Sequence, residues 1–263
     1  MQWSEAVDEY IRALKPIEIN PVVKQRVLSV MDLTSLNKSD TNDSIASLCM
    51  KAQTTYGHVA AVCVLPQFVS MVSNQFSGTP IKTATVANFP EGTDDLDSTI
   101  IQINDALEQG AQEIDVVFPY HRYLASERQY AQTFVAMCRA ACGEDALLKV
   151  ILETGALNEA ALIADACYDV LTAGADFVKT STGKSVEGAT LETAATLLLV
   201  VRHVAPQLKR PLGVKVAGGI KSLEQATQYL ALADQIMGRA WVKPENFRIG
   251  ASQLVDEIIE ERA

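Results

Sequence analysis

The 263-residue sequence predicts an α/β fold: a (β/α)8 TIM barrel with an N-terminal leading helix. Its length is normal for one such barrel, so we expect residues 1–263 to form a single domain. Short β-branched segments alternate with longer helical segments, which is the order of a parallel barrel. Two predicted helices also end at a Gly-Ala pair shortly before the next strand, at Gly110 and Gly174, and glycine there fits a left-handed helix cap.

The predicted elements follow one another without a linker rich in Pro, Gly or Ser. Residues 1–16 combine acidic and apolar side chains and predict an amphipathic leading helix. Eight strands are predicted at residues 28–33, 59–65, 81–87, 113–118, 147–153, 176–181, 212–217 and 234–238. Helices are expected between them, for example at residues 94–110, 190–205 and 252–261. An open, doubly wound sheet is the alternative to a closed barrel.

Composition excludes several classes of protein. Hydrophobic residues make up 48% of the chain and charged residues 21%, which is enough apolar material for a large core. The net charge of −10 disfavours nucleic acid and anionic membranes as partners. No apolar stretch approaches the roughly 20 residues that cross a bilayer, and the N-terminus does not read as a signal peptide. We therefore expect a cytoplasmic protein.

The metal-binding residue types are scattered. Five cysteines and three histidines are spread along the chain, without a Cys-x-x-Cys pair or a histidine cluster. Cys138 and Cys142 lie four residues apart, which places them on one face of a helix. Two such ligands do not complete a metal site. We expect no metal and no cofactor, and free thiols in a reducing compartment.

Charged residues interrupt strands that a barrel covers on both faces. Parallel strands are normally apolar throughout, yet Lys179, Lys215 and Asp115 lie within predicted strands, as do Asp32 and Lys149. An isolated buried charge is costly, so each must be paired, neutral or placed at a solvated opening. These charges are therefore candidates for catalysis.

Lys179 and Lys215 form the most informative pair. They lie 36 residues apart on consecutive predicted strands, near the strand ends where barrel enzymes place their active sites. Two like charges about 4 Å apart repel by roughly 4 kcal/mol at an effective dielectric of about 20. Such repulsion, with desolvation added, lowers the pKa of one amine and makes it a nucleophile. The alternative is that one lysine points outward between the helices, which we expect of Lys149.

Glycine-rich turns at three predicted element ends favour an anion site. They follow predicted strands six and seven and open the predicted final helix. Glycine lets backbone N–H groups approach a phosphate, and barrel enzymes often bind phosphate in this region. An ordinary tight turn at Gly218-Gly219 and an ordinary helix cap at Ser252 are the alternatives. The candidate anion-binding residues are Thr182, Gly183, Lys184, Gly218, Gly219, Gly250 and Ser252.

Seven segments of the chain resemble the deoxyribose-phosphate aldolase family. The most specific are FVKTSTG, with Lys179, GVKVAGG, with Lys215, and EIDVVFP, with Asp115. The likeness runs in order from about residue 27 to residue 254. The matching segments are residues 30–37, 84–92, 113–120, 149–155, 174–184, 213–221 and 250–254.

The resemblance implies a class I aldolase of deoxyribose phosphate breakdown, without a metal. It would reversibly cleave 2-deoxy-D-ribose 5-phosphate to acetaldehyde and D-glyceraldehyde 3-phosphate. Lys179 would form the Schiff base, Lys215 would lower its pKa, and Asp115 would transfer protons through water. Asp32 and Thr34 would line the pocket, and the glycine turns would hold the phosphate. The resemblance also suggests a homodimer.

Three positions depart from the family's pattern. Gln253 replaces a frequent second serine and Lys221 a frequent arginine, and lysine lacks the bidentate fork of arginine. Residues 258–263 lack the tyrosine with which some relatives assist proton transfer. We expect Cys63, on the second predicted strand, to pack in the core; the alternative is a thiol in the pocket.

Two other functions fit the same sequence. A transaldolase or a ketose-phosphate aldolase would share the Schiff-base lysine but take a ketone donor. A non-catalytic barrel that binds a sugar phosphate would share only the fold. The lysine pair argues against the second, because a binding module has no need of a depressed amine.

Overall fold

The computed structural model describes residues 3–93, 95–185 and 187–259, and a closed parallel barrel lies within them. Each strand pairs in parallel with the next, and the last pairs with the first. This confirms the predicted barrel and excludes the open sheet. The strands are β1 (Met31–Ser35), β2 (Ala61–Val64), β3 (Lys82–Ala87), β4 (Glu113–Val117), β5 (Leu147–Ile151), β6 (Phe177–Lys179), β7 (Gly213–Ala217) and β8 (Phe247–Ala251).

Helices cover the outside of the barrel. A 3-10 turn at Pro66–Phe68 and a two-stranded ribbon, Gln53–Thr54 with Gly57–His58, lie in the connections. The helices are α1 (Trp3–Arg12), α2 (Pro21–Ser29), α3 (Asn42–Met50), α4 (Val69–Gln75), α5 (Leu96–Glu108), α6 (Tyr120–Leu124), α7 (Arg128–Cys142), α8 (Thr154–Leu157), α9 (Ala160–Thr172), α10 (Leu191–Leu208), α11 (Leu223–Met237) and α12 (Leu254–Ile259). The predicted leading helix is α1, and its Trp3 packs edge-on against His203 of α10.

Local sequence signals explain where the helices begin and end. Thr41, Thr190 and Ser222 each accept a hydrogen bond from the backbone N–H three residues on, which satisfies one of the unpaired donors of a helix start. Gly110 and Gly174 have φ of 97° and 115°, so both follow their helices in the positive-φ conformation that the sequence predicted.

The predicted eighth strand, at residues 234–238, is wrong. Residues 234–237 belong to α11, whose buried Leu230, Ala233 and Ile236 recur at helical spacing. The eighth strand is β8, from residue 247 to 251. Gly250 consequently lies within a strand and does not open the final helix. That helix was predicted at 252–261; it is observed from residue 254, and residues 260 and 261 lie outside the described part.

The inside of the barrel is divided into an apolar side and a charged side. On β2 and β3 the inward residues are small, and Cys63 packs with Ala61, Ala84 and Val86 in a fully buried cluster. Complete burial in this apolar cluster favours the core-packing interpretation of Cys63, and the same burial raises the pKa of its thiol. All five cysteines are free and buried. Within the described ranges, no helix is long and apolar enough to cross a membrane.

Gly213 is required by the aromatic ring beside it. Its partner across the ladder is Phe177, which is 1% exposed, and a Cβ at residue 213 would overlap the Phe177 ring. The φ of Gly213 is not in the positive region, so steric overlap is the only obstacle to alanine here. Phe177 also lies beneath the guanidinium of Arg248, 5.8 Å from the ring centre, which limits its freedom to move.

We expect Gly213→Ala to lower the free energy of unfolding by about 1–3 kcal/mol, the usual cost of overpacking a core. Urea denaturation measures it. Phe177→Leu provides the matched test, because a smaller side chain relieves the overlap. The double variant should be more stable than the sum of the two single losses implies. Strict additivity would show that the ring is not the obstacle.

Candidate active site

Lys179 and Lys215 lie side by side inside the barrel. They are direct partners across the β6–β7 ladder, so their side chains leave the sheet on the same face. Each ammonium donates to the same oxygen, Oδ2 of Asp115, at 2.8 Å. The two nitrogens therefore lie within two hydrogen-bond lengths of each other. All three side chains are fully buried, so the predicted lysine pair faces inward.

A third lysine completes the shell of Asp115. Lys149 donates to Oδ1 of Asp115 at 2.9 Å and forms an ion pair with Glu113 at 2.6 Å. The expectation that Lys149 points outward is wrong. Its position in the β5 ladder places it opposite Asp115, and two carboxylates pair its charge, so complete burial is tolerated.

Arg248 links the remaining acids beneath the lysines. It contacts Asp32 at 2.6 Å and Glu113 at 2.7 Å, and Asp32 also pairs with Lys215 at 2.5 Å. Asp32 thus lies under Lys215 and not on the pocket surface where it was expected, because two buried cations hold it there. Sequence reasoning missed Arg248, since β8 was misplaced, and Glu113. The two-residue spacing of Glu113 and Asp115 was a usable signal, because it puts both on one face of β4.

The buried network holds four cations against three anions among the described residues. Burial raises the pKa of Asp115, but the three lysines outweigh it and hold that pKa well below its usual value. Burial lowers the pKa of Lys215, but Asp115 and Asp32 outweigh it and raise the pKa above its usual value. Lys149 behaves in the same way, through Asp115 and Glu113. Neutralising one cation would balance the network.

Lys179 is the cation whose pKa falls. Burial is the largest cause, the attraction of Asp115 opposes it, and the repulsion of Lys215 adds to it. The sequence argument put repulsion first, and the structure reverses that order. Lys179 has one carboxylate contact, whereas Lys149 and Lys215 each have two. Because Lys179 has the fewest anionic partners, attraction to carboxylates offsets less of its desolvation than in the other two lysines, and its pKa falls.

A cavity of about 250 Å³ opens above the network at the carboxyl ends of the strands. Lys179 and Lys215 lie at its base, and Lys184 and Lys221 lie on its walls. Among the described residues that line it there is no aspartate or glutamate. Lys184 and Lys221 are the lysines of this cavity outside the buried ion-pair network, so their charges favour an anionic ligand in a chain of net charge −10.

The predicted anion-binding residues meet in this cavity. They come from the turns after β6, β7 and β8, together with the end of β1. Asp115 and Asp32 are not part of the lining and lie deeper in the barrel. The predicted residues that line it are Thr34, Thr182, Gly183, Lys184, Gly218, Gly219, Gly250 and Ser252.

Two glycines give this cavity its shape. A Cβ at Gly250 would lie 2.9 Å from the Cβ of Ala217 and 3.3 Å from Cε of Lys215, so glycine leaves room for the lysine chain. At Gly218, φ is +93°, and a Cβ there would meet the backbone of Gly188 at 2.9 Å. Both positions therefore favour glycine for a physical reason.

The chain is similar to known proteins in both sequence and structure. The chain matches the DeoC/LacD family aldolases over residues 26–245. A Coccidioides immitis structure, provisionally assigned as a deoxyribose-phosphate aldolase, is 30% identical with a TM-score of 0.77, and the match covers 97% of this chain and 96% of that one. A Toxoplasma gondii structure with the same provisional assignment is 26% identical with a TM-score of 0.81, and the match covers 90% of this chain and 94% of that one.

The deoxyribose phosphate aldolase of Aeropyrum pernix, which is tetrameric, is 24% identical with a TM-score of 0.72. The match covers 92% of this chain and 97% of that one, and at this identity it supports the fold alone. The family match covers most of the barrel, and the Coccidioides protein aligns along nearly the whole chain. The chain therefore belongs to the DeoC/LacD family of aldolases, and it is a lyase.

Proposed function

We propose that this aldolase reversibly cleaves 2-deoxy-D-ribose 5-phosphate to acetaldehyde and D-glyceraldehyde 3-phosphate. The observation that carries the proposal is Lys179: a buried amine with a lowered pKa at the base of a cavity lined by lysines and free of described carboxylates. The names of the similar Coccidioides and Toxoplasma structures support the choice of substrate.

The first step is attack by the free amine of Lys179 on the open-chain aldehyde at C1. Loss of water then gives an iminium, which withdraws electrons from C2 and permits cleavage of the C2–C3 bond. Lys215 stays protonated, because Asp115 and Asp32 pair its charge, and we assign it the donation of a proton to the departing hydroxyl.

The second step removes the proton of the C3 hydroxyl as the bond breaks. Asp115 is fully ionised and lies below the cavity, so we assign it this proton transfer through an intervening water. Its low pKa makes it a group that passes a proton on and does not hold it. The enamine is then protonated at C2, and hydrolysis of the imine releases acetaldehyde.

The phosphate occupies the outer part of the cavity. Lys184 and the turns at Gly183 and Gly218-Gly219 are proposed to bind it, together with Gly250 and Ser252. Lys221 also lines this region, where relatives commonly carry arginine, and it supplies a single point charge. Thr34 is assigned to the sugar. Asp32, expected to bind substrate, is assigned instead to holding Lys215 in place.

Three further expectations extend this proposal. Residues 1–263 form one domain, the protein acts in the cytoplasm, and it assembles as a homodimer. The tetramer of the Aeropyrum pernix enzyme is a property of that protein. Sedimentation of the purified chain measures its own state.

Borohydride reduction in the presence of 2-deoxyribose 5-phosphate should leave one covalent adduct, on Lys179. Peptide mass mapping locates it, and Lys179→Met, which keeps the apolar stem, should abolish both the adduct and cleavage. A ligand that binds without any mass shift would favour a non-catalytic sugar-phosphate barrel. Dihydroxyacetone phosphate accepted in place of acetaldehyde as donor would favour a transaldolase or ketose-phosphate aldolase.

Lys215→Met should move the acid limb of the pH profile of iminium formation to higher pH. Without Lys215, Asp115 pairs more strongly with Lys179 and the like-charge repulsion is lost, so the pKa of Lys179 rises. The free amine exists above that pKa, so iminium formation falls most at neutral pH and rises as pH increases. Its maximum stays below that of the wild type, because the proton donor is also lost. The rate of cyanoborohydride trapping of acetaldehyde measures it. Lys184→Met is the control, because it removes an equal charge outside the network; an equal shift there would contradict the argument.

Lys184→Met should raise KM for 2-deoxyribose 5-phosphate by about tenfold, the contribution of one charge-assisted hydrogen bond. Lys184 contacts Asn37 at 3.3 Å in the described structure and is otherwise directed at the cavity. Unphosphorylated 2-deoxyribose should be cleaved with unchanged kcat/KM, since it offers no phosphate to bind. Parallel losses on both sugars would place the phosphate elsewhere.

A further inference from the structure

The turn after β6 is fastened to the barrel by a buried carboxylate, Glu153. Its Oε2 accepts from the Thr182 hydroxyl at 2.6 Å, and its Oε1 accepts from the Ser185 hydroxyl at 3.1 Å. The backbone N–H of Thr182 also approaches Oε2, at 3.4 Å. Glu153 is 3% exposed, so these hydrogen bonds replace those that its carboxylate would make to water.

The backbone of Glu153 is itself unusual. The residue has φ 53° and ψ 63°, the left-handed conformation that non-glycine residues rarely adopt, immediately before α8. The next residue, Thr154, donates its N–H to the carbonyl of Thr180 at 2.9 Å, which joins the ends of β5 and β6. The left-handed conformation therefore turns the carboxylate toward the β6 turn. Backbone strain at a non-glycine residue persists only where the surrounding contacts hold it in place.

A chain of hydrogen bonds runs from Glu153 to the cavity. The N–H of Lys184 donates to the Thr182 hydroxyl at 3.1 Å, and that hydroxyl donates to Glu153. The link spans Gly183, whose φ is +75° and which lies close to Gly218 on the cavity wall. Releasing Glu153 would free the β6 turn to move away from the β7 turn.

We propose that Glu153 is a positioning residue that sets the affinity of the cavity for the substrate's phosphate group. It shapes the β6 turn from behind and does not touch substrate, since it is absent from the described lining of the cavity. The inference rests on the proposed function only in taking phosphate as the anion. The same geometry would serve any small tetrahedral oxyanion.

Charge alone does not explain a carboxylate at this place. A buried anion behind an anion site repels the ligand, so Glu153 weakens phosphate binding electrostatically while it orders the turn. Its benefit must therefore be geometric. An acceptor for Thr182 with no negative charge should bind phosphate as well as the carboxylate does, or better.

Glutamine meets that requirement in this structure. In Glu153→Gln, Oε1 would accept from Thr182 and Nε2 would donate to the Ser185 hydroxyl, whose own proton already reaches the carbonyl of Glu187 at 3.1 Å. Glu153→Ala removes both hydrogen bonds, and residue 153 must still adopt the left-handed backbone conformation. The two variants thus separate the loss of geometry from the loss of charge.

The experiment compares Glu153→Ala and Glu153→Gln with the wild type in three assays. Inhibition by inorganic phosphate and KM for 2-deoxyribose 5-phosphate report the anion site; cyanoborohydride trapping of acetaldehyde reports the amine. In Glu153→Ala we expect phosphate binding and KM to weaken by about tenfold, as for one hydrogen bond to a charged group, with trapping unchanged. Glu153→Gln should match or exceed the wild type. Ser185→Ala, at an exposed position, should weaken phosphate binding by a smaller factor and provides a variant that folds.

Three results would overturn the proposal: equal losses of phosphate binding and acetaldehyde trapping in Glu153→Ala, a Glu153→Gln variant as impaired as alanine, or a wild type that binds no phosphate. Failure of the proposed function looks different. In that case the wild type binds phosphate and Glu153→Ala weakens it, but 2-deoxyribose 5-phosphate is not cleaved.

Discussion

The carboxylate of Asp115 is the contact on which the rest of the site depends. Lysines from β5, β6 and β7 all donate to its two oxygens, at 2.8–2.9 Å. Without that anion, three ammonium groups would be buried together with no solvent to screen them. With it, the lysines occupy fixed positions, and the one with the fewest carboxylate contacts becomes the weakest base. Asp115 thus fixes the position of Lys179, whereas burial and the repulsion of Lys215 lower its pKa.

A network of this size is poor evidence for stability. Buried ion pairs roughly repay their desolvation at best, and apolar residues of similar volume are often as stable. The apolar side of the same barrel, around Cys63 and Ala84, shows that these strands can be filled without charge. The charged side therefore reflects a chemical requirement. Arg248 and Asp32 extend it away from the cavity, so residues that meet no ligand still hold Lys215 in register.

The sequence was sufficient for the barrel, for seven strands and for the convergence of the lysine pair, because these depend on local patterns and on the βα repeat. It failed at the eighth strand, where the end of α11 was mistaken for a strand and β8 was overlooked. That error hid Arg248. The outward placement of Lys149 failed for another reason: side-chain direction depends on cross-strand register, which a single strand does not reveal. The hydrogen bonds of Glu153 join positions about 30 residues apart and leave no local pattern.

The charges of the barrel interior favour the free amine of Lys179 over a positively charged form of that residue. With Lys179 as a free amine, three cations face three anions among the described residues, and the network is balanced. The proposed iminium restores a positive charge at the same position, opposite Asp115, so that four cations again face three anions among the described residues. The count of charges therefore opposes the iminium, and the ion pair with Asp115 partly offsets that cost. Cleavage of the C2–C3 bond converts the iminium to a neutral enamine and restores the balance of charges. The network therefore favours the bond-breaking step, and its fixed charges need no rearrangement as the positive charge disappears.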